Sequence, residues 1–210
     1  YAISINGADN KFDCFEYQNI QFVELDDFLA GEPTEKCGYL ASVDCDNLSG
    51  KQDWIDALPK IAEFASKGKQ NRITVSTLLP DYPAIPNGIE SLAEREFSYY
   101  LEEQIKDKTP EQCFYIEIEK LCRKIVSNTF EGLNIARIDN LYGPDINPSH
   151  RFDLVGFVQK TFEIGKVVIN KEDYENIFTC TYIQSAMRFA VRLLYMGRDG
   201  QVYNFASHTV

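Results

Sequence analysis

The histidines and cysteines are the side chains that most often bind metal ions or act as nucleophiles, and here they form no recognisable set. His150 and His208 are the only histidines and lie far apart in the sequence, so neither a histidine-based triad nor a metal site is predicted. None of the six cysteines belongs to a Cys-x-x-Cys pair, which argues against a zinc ribbon or a thioredoxin-type redox motif. We expect small core residues or free thiols, with a disulfide framework as the minor alternative, at Cys14, Cys37, Cys45, Cys113, Cys122 and Cys180.

The stretch of residues 115–144 reads as one helix followed by one buried strand. Leu121, Cys122 and Ile125 recur at the spacing of a helical apolar face. Residues 133–138 form a short apolar run bounded by turn residues, as a covered strand should be. A helix that leads into such a strand is half of a parallel βαβ unit.

The phrase Asn-Ile-Ala-Arg-Ile-Asp-Asn-Leu-Tyr-Gly-Pro-Asp at residues 134–145, which follows Tyr115 at the head of that helix, carries a family resemblance. It resembles the extended short-chain dehydrogenase/reductase family of NAD-dependent nucleotide-sugar epimerases and dehydratases, in a divergent form incomplete at both ends. The resemblance is strongest over residues 72–207. It implies NAD or NADP as cofactor, a sugar nucleotide as ligand, and a place in bacterial-type surface polysaccharide or sugar-nucleotide metabolism.

The resemblance also implies a proton-transfer set made of a hydroxyl residue at a strand end, a tyrosine, and a lysine four residues after it. The matching strand end offers Ser76 and Thr77, and the tyrosine is Tyr115. The fourth residue after it is Glu119, whose carboxylate is expected to raise the pKa of the phenol where an ammonium would lower it. Lys120 comes next, but one helical step turns a side chain by about 100°, so it could substitute only through a local shift such as a π-bulge.

Further landmarks of the family are matched in part. Asn140 and Tyr142 match positions that approach the bound sugar nucleotide, although Asn and Gly-Pro equally suit a strand-ending turn. Asp26 lies where relatives often have an acidic turn near the adenosine end of the cofactor; a solvated carboxylate at a turn or helix N-cap is the alternative. Phe178 and Ser185 stand where many members have an arginine and an aspartate, so a diphosphate would lack a bidentate partner.

A glycine-rich turn for a dinucleotide pyrophosphate is missing from the 210 residues, which contain neither Gly-x-Gly-x-x-Gly nor Gly-x-x-Gly-x-x-Gly. Residues 1–25 match the second and third strands of a Rossmann half. Tyr1 is not a methionine, and we treat both ends as incomplete. From these departures we expect this chain alone neither to bind NAD(P) tightly nor to turn over a nucleotide sugar, and a catalytically degenerate binding or assembly module is the alternative to an enzyme.

Short apolar strands alternate with amphipathic helices along the chain, which predicts an α/β fold: a Rossmann-like, mainly parallel twisted sheet with helices on both faces. We predict strands at residues 1–5, 19–25, 38–43, 72–77, 133–138, 166–169 and 201–205. Helices are predicted at residues 54–65, 89–106, 115–126, 154–162 and 185–196, with a kink or late start at Pro59. By the resemblance, residues 1–144 are expected to form the Rossmann-like nucleotide-binding portion, without its first strand and glycine-rich loop, and residues 145–210 a smaller substrate-side portion that includes the returning strand at 201–205.

Composition limits the classes of partner. A hydrophobic content of 44% allows a sizeable core, and a formal net charge of −11 argues against non-specific binding to nucleic acid or anionic lipid. No apolar run approaches the roughly 20 residues that a membrane span requires, so a soluble, cytoplasmic protein without a membrane partner is expected. By the resemblance, helices 89–106 and 115–126 are predicted to form a homodimer.

Overall fold

The structure, a computed structural model, describes residues 2–5, 22–43, 50–78, 110–138, 141–142, 165, 179–205 and 208–209. The strands within them are β1 (Ala2–Ser4), β2 (Phe22–Glu24), β3 (Gly38–Ser42), β4 (Arg72–Leu78), β5 (Leu133–Ile138), β6 (Leu141–Tyr142), β7 (Thr179–Tyr182), β8 (Val202–Phe205) and β9 (His208–Thr209). The helices are α1 (Leu25–Leu29), α2 (Lys51–Ser66), α3 (Pro110–Asn128) and α4 (Ile183–Met196).

A four-stranded parallel sheet in the order β3-β4-β5-β8 forms the centre of the described part. β1 pairs with β2 in a separate parallel pair, and β7 pairs with both β6 and β9. Along the chain, each of β3, β4 and β5 is followed by a helix (α2, α3 and α4 respectively) before the next strand of this sheet, which is the arrangement of βαβ units. The predicted Rossmann-like α/β fold is confirmed.

Side-chain alternation along the strands divides the core between two helical layers. Ile135 of β5 packs in a cluster with α2 and α3, whereas Ala136 packs in a second cluster with α4. All six residues of β5 are buried, as expected of a strand covered on both faces. The helices therefore lie on both faces of the sheet.

Most predicted elements in the described part occur where the sequence placed them, with small shifts at their ends. The strand at 133–138 is confirmed without change, and α3 begins at Pro110, five residues before the predicted start. Of the two effects predicted for Pro59, a kink or a late start, the late start is wrong, since α2 begins at Lys51 and contains the proline in its interior. The predicted elements at residues 89–106, 154–162 and 166–169 lie outside the described residues. The strand β8, placed with the substrate-side portion, is hydrogen-bonded to β5 in the central sheet.

Among the described residues, no helix combines the length and the apolar character needed to cross a membrane.

Candidate functional site

Three polar side chains lie in one row across neighbouring strands near the carboxyl edge of the central sheet. Thr77 of β4 is in register with Arg137 of β5, and Arg137 is in register with Asn204 of β8. By strand alternation all three face the α3 layer. Thr77 is 2% exposed and Arg137 is fully buried. A charged side chain this deep in a sheet needs a partner.

That partner is Glu119 of α3. Arg137 donates from Nε to Glu119 Oε1 at 2.5 Å and from Nη2 to Glu119 Oε2 at 2.6 Å, which makes a forked, bidentate pair. Arg137 also donates from Nη1 to Asn204 Oδ1 at 3.4 Å, and Arg123 Nη2 lies 4.0 Å from Glu119 Oε2. Glu119 is therefore not an isolated negative charge beside Tyr115, because the guanidinium of Arg137 compensates it. The sequence alone predicts an uncompensated carboxylate beside the phenol of Tyr115, and the ion pair with Arg137 corrects that prediction.

Tyr115 lies one helical turn before Glu119, about 6 Å nearer the carboxyl edge along the axis of α3. Its side chain belongs to the hydrophobic cluster between the sheet, α2 and α3 and is 5% exposed. Lys120 is exposed, whereas Glu119 points at β5, and α3 is an uninterrupted α-helix at this point. Lys120 consequently does not take the place of a lysine four residues after Tyr115, and no π-bulge brings it there.

Ser76 and Thr77, the two hydroxyl candidates, are separated by the sheet. They are consecutive on β4, so their side chains point to opposite faces, and only Thr77 faces the layer that carries Tyr115. The face of Ser76 is packed by α4. There Thr74 Oγ1 donates to Asn134 Oδ1 at 2.8 Å, and Asn134 Nδ2 donates to the carbonyl oxygen of Leu193 at 3.3 Å. This buried network fixes α4 against β4 and β5.

Tyr142 lies on β6, directly after the end of β5. It is in register with Tyr182 of β7, and the two ring centroids are 5.4 Å apart with an interplanar angle of 49°. Both side chains are half-buried. The pair forms an aromatic surface just past the carboxyl edge of the sheet. Asn140 and Phe178 lie outside the described residues, and Ser185 lies in the first turn of α4.

Asp26 occupies the first turn of α1, whose N-cap residue is Glu24. Its side chain is 91% exposed and lies 4.0 Å from Lys60 of α2. It lines a small cleft of about 210 Å³ together with Asp53 and Asp56. Asp26 is separate from the row at the carboxyl ends of β4, β5 and β8.

Two residues of the site were not anticipated as members of it, Arg137 and Asn204. The signal for Arg137 was present: an arginine within the run Leu-Asn-Ile-Ala-Arg-Ile cannot be buried without an anion. For Asn204 no such signal exists, because a single asparagine in a short strand is ordinarily exposed.

No family model and no curated protein matches the sequence. Solved structures do match the fold. UDP-N-acetylglucosamine 4-epimerase from Methanobrevibacter ruminantium M1, in complex with UDP-N-acetylmuramic acid, has a TM-score of 0.68 at 15% identity over 99% of this chain and 69% of that one. The Bordetella bronchiseptica enzyme WbmF, in complex with NAD+, has a TM-score of 0.65 at 15% identity over 99% and 65%.

A third match is dTDP-glucose 4,6-dehydratase from Bacillus anthracis str. Ames, in complex with NAD, with a TM-score of 0.60 at 14% identity. The match includes 96% of this chain and 63% of the dehydratase chain, so this chain spans less than two thirds of that neighbour's length. The chain therefore has the Rossmann-like fold of the NAD-dependent sugar-nucleotide dehydratases and epimerases.

Proposed function

We propose that this chain belongs to an NAD(P)-dependent nucleotide-sugar epimerase, dehydratase or reductase that serves bacterial-type surface polysaccharide or sugar-nucleotide metabolism. The observation that carries the proposal is the shared fold over 99% of the chain with a UDP-N-acetylglucosamine 4-epimerase. The likeness concerns the fold, and the chemistry is inferred from the residues at the carboxyl edge of the sheet. In open α/β sheets, ligands bind outside the carboxyl ends of the strands.

In this proposal the sugar nucleotide lies over the carboxyl ends of β4 and β5. The hydroxyl of Thr77 orients a substrate hydroxyl, and Tyr115 exchanges the proton at the reacting carbon's oxygen. Ser76 is the second hydroxyl candidate from the sequence, on the opposite face of the sheet. Asn140 and Tyr142 contact the sugar nucleotide, and the ring of Tyr182 extends the aromatic surface of Tyr142.

The cofactor of the proposed reaction is NAD or NADP, which would take up or return the hydride. The sequence of residues 1–210 does not by itself fit its pyrophosphate, because it contains neither Gly-x-Gly-x-x-Gly nor Gly-x-x-Gly-x-x-Gly. Asp26, the candidate for the adenosine end, is exposed and lies beside Lys60. We therefore assign no step of the reaction to cofactor contacts within this chain.

A second candidate, a catalytically silent binding or assembly module with the same fold, is favoured by one specific contact. The residue four positions after Tyr115 is a glutamate, and its carboxylate is held by Arg137. No ammonium stands at that position to stabilise a tyrosinate. The homodimer predicted through helices 89–106 and 115–126 would suit either candidate, and light scattering would test it.

Calorimetric titration together with a turnover assay decides between the two candidates. NAD+, NADP+ and a panel of UDP-, GDP- and CDP-sugars are titrated into residues 1–210 and into the full natural polypeptide. We expect tight binding of cofactor and of one sugar nucleotide by the full polypeptide, and no tight cofactor binding by residues 1–210. A full polypeptide that binds sugar nucleotide but shows no turnover would favour the silent module, and failure to bind either ligand would refute the proposal.

A further inference from the structure

The ion pair between Glu119 and Arg137 has a third member, Arg123 of α3. Arg123 Nη2 lies 4.0 Å from Glu119 Oε2, the same oxygen that accepts from Arg137 Nη2 at 2.6 Å. One carboxylate therefore lies against two guanidinium groups, and arginine is not deprotonated in proteins. The cluster of Glu119, Arg123 and Arg137 thus carries one net positive charge.

This cluster lies one helical turn from Tyr115. Glu119 follows Tyr115 by four residues on an uninterrupted helix, so the two side chains leave α3 on the same face. Tyr115 is 5% exposed, and the side chain of Glu119 is 12% exposed. Because water and salt screen buried charges much less than exposed ones, the net charge of the cluster acts on the phenol.

The neighbouring elements in the described part of the chain add no net charge near Tyr115. On the α2 side, Lys51 Nζ is paired with Glu117 of α3 at 2.6 Å. In the sheet, the residues in register with the arginine of β5 are Thr77 on β4 and Asn204 on β8, and both are neutral. The sheet and α2 therefore leave the cluster as the source of net charge.

The remaining ionisable groups of α3 near Tyr115 also balance. Glu111 precedes Tyr115 by one turn and Lys120 follows it by five residues, and their charges are opposite. Burial raises the pKa of the Cys122 thiol, so this group is neutral. The positive charge of the cluster is thus not cancelled along the helix.

We propose that Arg137 and Arg123 are positioning residues for Tyr115 and together take the role of a single lysine one turn after the tyrosine. Arg137 compensates the carboxylate of Glu119, and Arg123 supplies the excess positive charge. When Tyr115 gives its proton to the substrate oxygen, the phenolate that remains is the charge that the cluster stabilises. The inference rests on the proposed function, in which Tyr115 exchanges this proton.

The phenol of Tyr115 is titrated in the full natural polypeptide by NMR of tyrosines labelled with carbon-13 at Cζ. Its signal is identified by its loss in Tyr115→Phe. Arg123→Gln removes the excess charge, and we expect the pKa of Tyr115 to rise by about half a unit. Arg123→Lys keeps the charge and should restore the parent value. The side chain of Arg123 is 49% exposed, so these two changes leave the core intact.

Changes at the buried pair separate charge from structure. Arg137→Met leaves Glu119 with Arg123 alone, and the pKa of Tyr115 should rise by about one unit or more. Glu119→Leu/Arg137→Met removes the tie between α3 and β5 but keeps the net charge, so the pKa should stay within about 0.3 units of the parent. A purely structural role of the pair predicts a change in the double variant as well.

Arg188→Gln is the matched control. Arg188 is an exposed arginine of α4, on the opposite face of the sheet, and its replacement changes the charge of the chain by the same amount. The pKa of Tyr115 should not move in this variant. The limb of the pH profile of kcat/KM that follows Tyr115 should shift in each variant as the NMR titration does.

Two results would overturn the inference: equal shifts of the Tyr115 pKa in Arg123→Gln and Arg188→Gln, or no shift in either Arg123→Gln or Arg137→Met. The NMR titration requires neither ligand nor turnover. The expected shifts in a polypeptide that binds neither cofactor nor sugar nucleotide would therefore support the electrostatic role of the arginines while refuting the proposed function.

Discussion

Glu119 and Arg137, 18 residues apart in sequence, form a forked ion pair between α3 and β5 with both N–H···O contacts at 2.6 Å or less. The arginine side chain is 1% exposed and the glutamate side chain 12%. A pair this well shielded from water ties the helix to the strand at the level of Thr77. The ion pair also engages the carboxylate that lies one helical turn after Tyr115.

Removing one partner of this pair should be strongly destabilising. Glu119→Gln leaves the buried guanidinium without its counter-charge, and we expect a loss of about 3–5 kcal/mol in the free energy of unfolding. The double variant Glu119→Leu/Arg137→Met removes both charges and should cost less than the single change. Urea unfolding of the three proteins measures both effects.

Glu117→Gln provides the control for that series. Glu117 lies on the same helix and forms an ion pair with Lys51 at 2.6 Å, but its side chain is 49% exposed. Exposed pairs contribute roughly 0–1 kcal/mol, so this change should be nearly silent. A Glu119→Gln variant no less stable than Glu117→Gln would contradict the buried role of the pair.

The thiol of Cys122 should make stability fall at alkaline pH. Burial raises the pKa of Cys122, and the negative charge of Glu119 raises it further. The thiol then stays neutral in the folded protein while the unfolded chain ionises above about pH 8.5. This contribution is complete below that pH and is lost as pH rises, by about 1.4 kcal/mol per pH unit.

Unfolding curves between pH 7 and pH 10 test this pH dependence. The parent chain and Cys122→Ala are compared by the slope of the free energy of unfolding against pH, because the truncation itself lowers stability. The alanine variant should lose stability less steeply above pH 8.5. Cys113→Ala is the control, since Cys113 lies on the same helix with an exposed thiol. Parallel slopes for the parent chain and Cys122→Ala would show that Cys122 is not the group responsible.

Gly197, the residue directly after α4, should not tolerate a side chain. A Cβ there would lie 2.6 Å from the carbonyl oxygen of Leu193 and 2.8 Å from Asn134 Nδ2, both parts of the buried network that holds α4. We expect Gly197→Ala to lower the free energy of unfolding by about 1–3 kcal/mol. Thermal or urea unfolding measures this loss.

Gly31→Ala is the comparison for Gly197→Ala, because, within the part of the chain that the structure describes, a Cβ on Gly31 would meet the carbonyl oxygen of Phe28 alone, at 3.3 Å. Its expected cost is below about 1 kcal/mol. Equal stability losses at the two positions would show that the space beside Gly197 is not limiting.

The elements with strong local signals could be predicted from sequence. β5 combines a continuous apolar run with turn residues on both sides, and its limits follow from that pattern. The start of α3 at Pro110 was missed because its first turn has no apolar periodicity; proline at the first helical position was the available signal. The two-residue strand β6 has no local signal, since it exists only through pairing with Thr181 and Tyr182.

The site was harder to predict because its contacts are tertiary. The sequence places Glu119 one turn after Tyr115, but it does not show that the carboxylate turns to Arg137 on the next strand. Similarly, Ser76 and Thr77 are equivalent hydroxyls in sequence, and only the pleat of β4 relative to α3 separates them.

The placement of Thr77 leads to a prediction about activity in the full natural polypeptide. Thr77 shares the α3 face and the carboxyl edge with Tyr115, whereas Ser76 points into the α4 layer. If Thr77 orients the reacting hydroxyl, Thr77→Val should lower kcat by about 10²-fold, because valine keeps the shape of the side chain and removes the hydroxyl. This factor is the scale of a lost positioning or proton-transfer contact. Ser76→Ala should leave kcat within about threefold of the parent, a change under 1 kcal/mol in the barrier.

Steady-state kinetics with the sugar nucleotide found by calorimetry measures the kcat of both variants, and circular dichroism checks that each variant is folded. A Ser76→Ala variant that loses more activity than Thr77→Val would show that the substrate lies on the other face of the sheet.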